Sequence, residues 1–370
     1  MNRFRDKTGQ SAVVEIPQIG LKLNAQQLLK QQKLAAEHVT FSLTEACPLR
    51  CSHCIVATVP AADASRTMPV ERAERYAAQL PALRERGVWL ISFTGGEPLL
   101  APKQLFILSE AAARAGMECT VVTACHWARS EASARQTVNR FPAISNWQLS
   151  ADLFHREFIP PEYALRAARA ALEAERRAMV RMAASLPLSA EHRKLYDELR
   201  SELPEDVPVV VQPVIQMGRG ASVETTNGTG QAPAWPCIPD GMVFRFDGTM
   251  APCCAGLVDE REGHPFQYGH ADTAGLAEAH QRWCADPLLQ LIRAVGFTPI
   301  LGWVAETHPE HSFLKEVPTH PCECCTKLWR DPEIVTEIRQ RAERPENRQK
   351  IAALTEFVFG EQFMKRPVMG

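Results

Sequence analysis

Apolar, β-favouring runs recur between residues 38 and 215: HVTFSLT at 38–44, VWLISFT at 88–94, MECTVVT at 117–123, NWQLSAD at 146–152, AMVRMAA at 178–184 and VPVVVQPVI at 207–215. Runs of this length and composition read as strands. Between them lie helical patterns beginning near Pro69, Pro102, Ser130, Pro160 and Ser189, several opened by the proline or serine that helix starts favour. Six strands alternating with helices predict parallel strands joined by right-handed crossovers, hence an α/β sheet or partial barrel. Functional groups are then expected at the carboxyl ends of the strands.

The flanking segments divide the rest. Residues 1–37 form a polar, Gln/Lys-rich extension whose stretch LNAQQLLKQQKLAAE reads as a helix. The barrel pattern covers 38–222, and the Thr/Gly/Asn-rich stretch VETTNGTGQAPAW lies in a linker at 223–236. A cysteine-rich unit is expected over 237–330, opening with GMVFRFDGTMAP, a hairpin turning at Asp247-Gly248. From 331 to 370 the pattern returns to a helical tail, broken at Pro345.

Composition narrows the class. The chain has 370 residues, of which 45% are hydrophobic and 23% charged, ordinary values for a folded globular protein. A net charge of −2 provides no global positive field for nucleic acid or anionic lipid. No run of apolar residues is long enough to span a bilayer, and the start MNRFRDKTGQ lacks the core of a secretory signal, so no membrane partner and a cytoplasmic location are expected. In a reducing compartment, the 12 cysteines point to metal binding or chemistry rather than disulfides.

Cys47, Cys51 and Cys54 form C-x3-C-x2-C directly after the first strand, where close thiols converge on one centre. Three thiolates on a four-iron cluster leave one iron without a protein ligand, the open position a substrate-binding metal needs. The alternative is a structural zinc knuckle completed by His53 or a distant residue. After the second strand comes SFTGGEP, in which Gly95 and Gly96 permit close backbone approach and leave amide donors for a ligand, while Glu97 offers an acceptor for an ammonium group.

The two motifs together, in this order, resemble those of the radical SAM superfamily. The resemblance implies a six-stranded partial (β/α) barrel over residues 38 to about 221. It implies a four-iron four-sulfur cluster on Cys47, Cys51 and Cys54 whose open iron chelates S-adenosylmethionine, with Gly95, Gly96, Glu97 and Pro98 seating the methionine end. His53 stands where members usually carry an aromatic residue against the adenine, and an imidazole can stack in its place. An electron donor such as flavodoxin or ferredoxin is implied as a partner, and the protein's own task is placement and exclusion of water.

Further candidates lie near the barrel mouth. Ser150 and Asp152 sit at the fourth strand's end, where the family commonly places polar side chains on the ribose hydroxyls. Asp152 and His155 are three apart and form a candidate substrate or proton-handling pair, with a helix cap by Asp152 the alternative. Arg181, in the fifth strand, needs a partner, either the cofactor carboxylate or a structural ion pair. QMGRGA follows the sixth strand and resembles a G-R-A turn found there in relatives.

Cys237, ten residues, Gly248, four residues and Cys253 match C-x9-15-G-x4-C, the opening of the SPASM and twitch extensions that follow many radical SAM barrels. By that resemblance, Cys322 and Cys325 complete a second, fully ligated four-iron cluster, in the shorter twitch form. Cys254 and Cys324 are alternatives to their neighbours, Cys284 is unassigned, and a structural zinc on the same thiolates competes.

Three functions follow. The leading one is a radical SAM enzyme modifying a ribosomally made peptide by cross-linking or epimerisation, with a separate peptide-recognition protein or direct docking, since residues 1–37 are too few for a winged-helix recognition domain. The second is dehydrogenation of a small molecule such as a sugar or cyclitol. The third is a non-catalytic metal-binding interaction module.

Overall fold

The structure is a computed structural model and describes residues 13–16, 21–56, 58–224, 236–253, 264–318 and 320–359. Its centre is an eight-stranded sheet of β1 (His38–Thr44), β2 (Leu90–Gly95), β3 (Glu118–Thr123), β4 (Asn146–Ser150), β5 (Arg177–Ala184), β6 (Val209–Pro213), β7 (Met242–Arg245) and β8 (Met250–Ala251). The strand order is β6-β5-β4-β3-β2-β1-β7-β8, with every pair parallel except β7 and β8. All six strands read from the sequence are present, as are the five helices between them. Those helices run Val70–Ala77, Pro102–Arg114, Glu131–Arg140, Glu162–Glu173 and Ala190–Glu202. Ser130 and Ser189 cap two of them through their side chains, as serine does at helix starts.

Six strands in unbroken sequential order mean that the crossovers all step the same way, which for right-handed connections puts the helices on one side. The register shows the result. Val39, Phe41, Ile91, Phe93, Val121, Trp147, Leu149 and Val180 line up across the sheet, each fully buried. The intervening positions present the other face, where Thr40, Ser42, Ser92, Thr94, Thr120, Asn146, Gln148, Ser150, Arg181 and Gln212 stand among the apolar Val122, Met179, Ala183 and Val210. Alternation along each strand therefore separates a hydrophobic core from a polar inner surface.

The hairpin expected at Asp247-Gly248 forms, and its first strand does something the local pattern does not show. β7 lies parallel beside β1, pairing Met242 with Val39 and Phe244 with Phe41, so the sheet continues past its sixth strand's opposite edge. The Phe244 ring lies 5.4 Å from that of Phe41, which also packs on Phe93 and Tyr76. From 271 to 359 the described chain is helical, ending in Pro332–Glu343 and Pro345–Phe359, the break falling at the expected proline. The N-terminal helix Ala25–Ala36 packs on β1 and on that last helix. Among the described residues no single helix is long and apolar enough to cross a membrane.

Arg72, on the helix after the cysteine loop, ties the hairpin region down through two-pronged hydrogen bonds to Asp272 and one to the Phe246 carbonyl at 2.8 Å. These bonds hold the Asp272 carboxyl down at about 2. A carboxyl depressed in the folded state stabilises above its unfolded range, and that stabilisation is lost as pH falls through the folded value. Asp272→Asn is expected to cost about 1 kcal/mol at neutral pH and almost nothing near pH 2, read by denaturant unfolding at the two pH values. Phe244→Ala, which empties a shared core, is expected to cost about 3–5 kcal/mol in the same measurement.

Candidate functional site

The segment that leaves β1 carries Cys47, Cys51 and Cys54, and it is fastened on three sides. Below, Glu45 is buried and ion-paired with Arg66, and the Glu45 amide donates to the Arg66 carbonyl at 2.9 Å. Beside it, the turn after β2 donates from the Gly96 amide to the Thr44 carbonyl at 2.6 Å and from the Glu97 amide to the Ala46 carbonyl at 2.8 Å. The Gly96 amide, one of the two that the sequence leaves for a ligand, is thus spent on the cysteine segment. A Cβ on Gly96 would collide with the Ala46 carbonyl oxygen, and one on Gly95 with that of Thr44. The two glycines are required by this close approach.

The third side comes from the turn after β6. Arg219 donates from its amide to the Cys54 carbonyl at 2.9 Å and from Nε to the Cys51 carbonyl at 3.0 Å. Gly218, at φ +54°, would press a Cβ to 2.7 Å from the carbonyl oxygens of both Cys54 and Ile55. The sequence flags QMGRGA only as a turn. Arg219 is the functional residue it does not single out, because nothing local says that the turn after β6 reaches the loop after β1.

Within this frame Cys51 is buried with Leu49, Ala124 and Ile159 in a small apolar cluster apart from the main core. Burial pushes the Cys47 thiol up to about 12 and raises that of Cys54. Thiols in such surroundings ionise only against a strong compensating charge, which a bound metal supplies. Cys51 Sγ and ring nitrogens of His53 and His155 lie within 4.8 Å of one another; Cys47 and Cys54 fall outside that group. The three thiols share the one loop that leaves β1. The buried Nδ1 of His53 also has no hydrogen-bond partner, which marks a place for a ligand beside the cysteines. Three free thiols on one loop and an unsatisfied neighbour fit a cluster with one open iron.

His53 is kept neutral, its pKa lowered to about 4 by burial, and its ring centroid lies 4.7 Å from that of Phe154 and 5.1 Å from that of His155. Asp152 both caps the short helix Leu153–Arg156 and pairs with its third residue: Oδ1 lies 2.9 Å from the His155 amide and 2.9 Å from Nδ1 of the ring. Its Oδ2 accepts from the Ala183 amide at 3.2 Å. Burial opposes charge on both groups. The pairing with Asp152, followed by contact with Cys51, nevertheless lifts His155 to about 10, and His155 and then His53 hold the Asp152 carboxyl below its usual range.

Glu97 is fully buried, and its carboxylate accepts from the Leu99 and Ala124 amides and the Thr123 hydroxyl, linking the ends of β2 and β3. Pro98 is buried behind it at the start of a short 3-10 turn. Arg181, for which the sequence offers a cofactor carboxylate or an ion pair, has two neutral partners: Nε donates to Gln212 and Nη1 to Gln148, both at 2.9 Å. Ser150, Asp152, His155 and Cys125 border a cavity of about 10 Å³, the size of one water. Cys125 is buried, with its thiol pKa raised by that burial.

The second cysteine set is distributed over three elements. The Cys237 amide donates to the Ile292 carbonyl at 3.0 Å, and Cys253 follows Pro252, whose carbonyl accepts from the Trp283 indole at 2.9 Å. Cys322 and Cys325 are one turn apart on the helix Pro321–Leu328, and Cys325 Sγ lies 4.0 Å from His264 Nε2. Cys324 is fully buried and donates to the Pro318 carbonyl, while Cys284 lies 3.7 Å from His280 Nε2. Cys254 lies outside the described residues.

Residues 41–136, which take in most of β1, the cysteine loop, the glycine turn and β3, match the model of the Radical SAM superfamily. Among solved structures, the chain is similar to polyhistidine-tagged anSMEcpe with bound AdoMet, at 12% identity and TM-score 0.44, over 86% of this chain and 98% of that one. Native anSMEcpe with bound AdoMet aligns at 12% identity and TM-score 0.48, over 86% and 99%. The same protein with bound AdoMet and Kp18Cys peptide aligns at 11% identity and TM-score 0.46, over 85% and 99%. No curated protein matches the chain.

The packing at Gly96 makes a prediction that separates frame from ligand. Gly96→Ala, whose methyl would strike the Ala46 backbone, is expected to abolish iron loading of the first cysteine trio while retaining most of the helical signal, measured by iron content after anaerobic reconstitution and by circular dichroism.

Proposed function

We propose that this chain is a radical SAM enzyme, with Cys47, Cys51 and Cys54 holding a four-iron cluster that leaves one iron to the amino and carboxylate groups of S-adenosylmethionine. The observation that carries this reading is the convergence of the turns after β2 and β6 on one cysteine loop, at the carboxyl end of a sheet whose inner face is polar. When bound, the cluster and S-adenosylmethionine supply a 5′-deoxyadenosyl radical able to abstract hydrogen from a substrate.

The chain's own residues bind, orient and exclude. His53 and Phe154 offer ring faces beside the cysteines, and Ser150 offers a hydroxyl at the end of β4. Arg181, held by two uncharged amides, keeps a positive charge for a carboxylate on the inner face. The buried Leu49, Ala124 and Ile159 keep water from the cysteine side.

The substrate in this reading is a ribosomally made peptide, modified by cross-linking or epimerisation. The SADLFHREF stretch resembles peptide-maturing members of the superfamily, and an inner face rich in hydroxyl and amide groups suits backbone and side-chain hydrogen bonding. Cys237, Cys253, Cys322 and Cys325 would hold a second, fully ligated cluster, with reducing equivalents coming from a flavodoxin or ferredoxin.

Anaerobic reconstitution is expected to give about eight irons per chain, and reduction with S-adenosylmethionine to release 5′-deoxyadenosine. Cys51→Ala is expected to lose that product entirely. Bound zinc with no cleavage would overturn the enzyme reading. Turnover of a free sugar or cyclitol with no peptide present would replace the peptide by a small metabolite.

A further inference from the structure

The function proposed above gives Asp152 and His155 no task, yet they are the most elaborately held polar pair in the neighbourhood of the cysteines. Resting on the reading that Cys51 ligates the cluster, we propose that Asp152 and His155 are an outer brace on it: the imidazole donates a hydrogen bond to the Cys51 sulfur, Asp152 aims the ring, and the pair sets the potential at which the cluster accepts an electron.

The geometry leaves the ring little choice. Asp152 Oδ1 takes both the amide and Nδ1 of His155 at 2.9 Å, and Oδ2 is bonded to the Ala183 amide at the end of β5. The carboxylate is therefore fixed at both oxygens, with its side chain 2% exposed, out of reach of a substrate. With Nδ1 committed to Asp152, Nε2 is the nitrogen left for the sulfur, and Cys51 Sγ lies within 4.8 Å of a ring nitrogen of His155. A metal-bound thiolate carries only lone pairs, so its contact with a ring nitrogen is favourable when that nitrogen is the donor. Carboxylate, imidazole and ligand in series is the arrangement by which outer groups orient a metal ligand and tune it. A hydrogen bond to a cluster sulfur stabilises the reduced, more negative state and raises its potential.

The test uses the full chain, anaerobically reconstituted, with iron content and redox titration followed by the paramagnetic signal that responds to added S-adenosylmethionine. His155→Phe keeps a ring against His53 but removes the donor; His155→Gln keeps a donor. In His155→Phe with wild-type iron content, the ratio of reduced to oxidised cluster at a fixed potential is expected to fall at least tenfold, about 59 mV for one electron, with His155→Gln between the two. A wild-type midpoint in His155→Phe would overturn the brace alone, as would equal shifts in both variants, which would assign the effect to packing. Should His155→Phe lose its iron, a midpoint in His155→Gln below that of the wild type supports the proposal and an unchanged one overturns it. A wild-type chain that holds one zinc on Cys51, His53 and His155, with no four-iron signal, would overturn the brace and the cluster together.

Discussion

Two backbone hydrogen bonds, from Gly96 to Thr44 and from Glu97 to Ala46, set the position of everything chemical in this molecule. They require the turn after β2 to lie against the segment that leads from β1 into the first cysteine, closer than any side chain allows. The turn after β6 meets the same loop from another direction through Arg219. A loop with three thiols would otherwise be free to sample many arrangements. Here it is clamped by main-chain groups whose places are dictated by the sheet register.

The register in turn follows from the winding. Because β1 to β6 succeed one another without reversal, the helices share a side, and the alternating strand pattern turns hydrophobic residues towards them. The opposite face carries most of the strands' Thr, Ser, Asn and Gln residues and Arg181, interspersed with Val122, Met179, Ala183 and Val210. A face so rich in polar groups is unusual on a parallel sheet, since such sheets commonly carry hydrophobic residues on both sides. Its presence ties the architecture to binding.

Most of the sheet was legible in the sequence because each of its first six strands is a run of β-favouring residues bounded by a helix start. The carboxyl-end location of the cysteine loop followed from the same reading. What local pattern could not show was long-range. β7 is four residues that the Asp247-Gly248 turn marks as a hairpin arm without naming its outer neighbour, and its pairing with β1 depends on packing Phe244 against Phe41. The glycines of the β2 turn read as a cradle for a ligand, and their close fit to the adjoining loop, with the Gly96 amide bonded to Thr44, needed the fold to be seen. Arg181 read as a group in search of an anion, and its neutral bonds to Gln148 and Gln212 come from strands whose order had to be known first. Arg219 went unnoticed for the same reason.

The amide of Gln32, on the N-terminal helix, donates to the carbonyls of Cys237 and Arg293, and the Arg293 guanidinium returns a bond to the Gln32 carbonyl. The earliest described helix therefore finds its permanent neighbours only after most of the polypeptide has left the ribosome. Until then it has only β1, which follows it directly, to pack on, although the six-stranded portion can already be assembling. The last polar contacts of this helix thus form late, and a nascent chain halted before residue 293 would hold it through β1 without its bonds to Arg293.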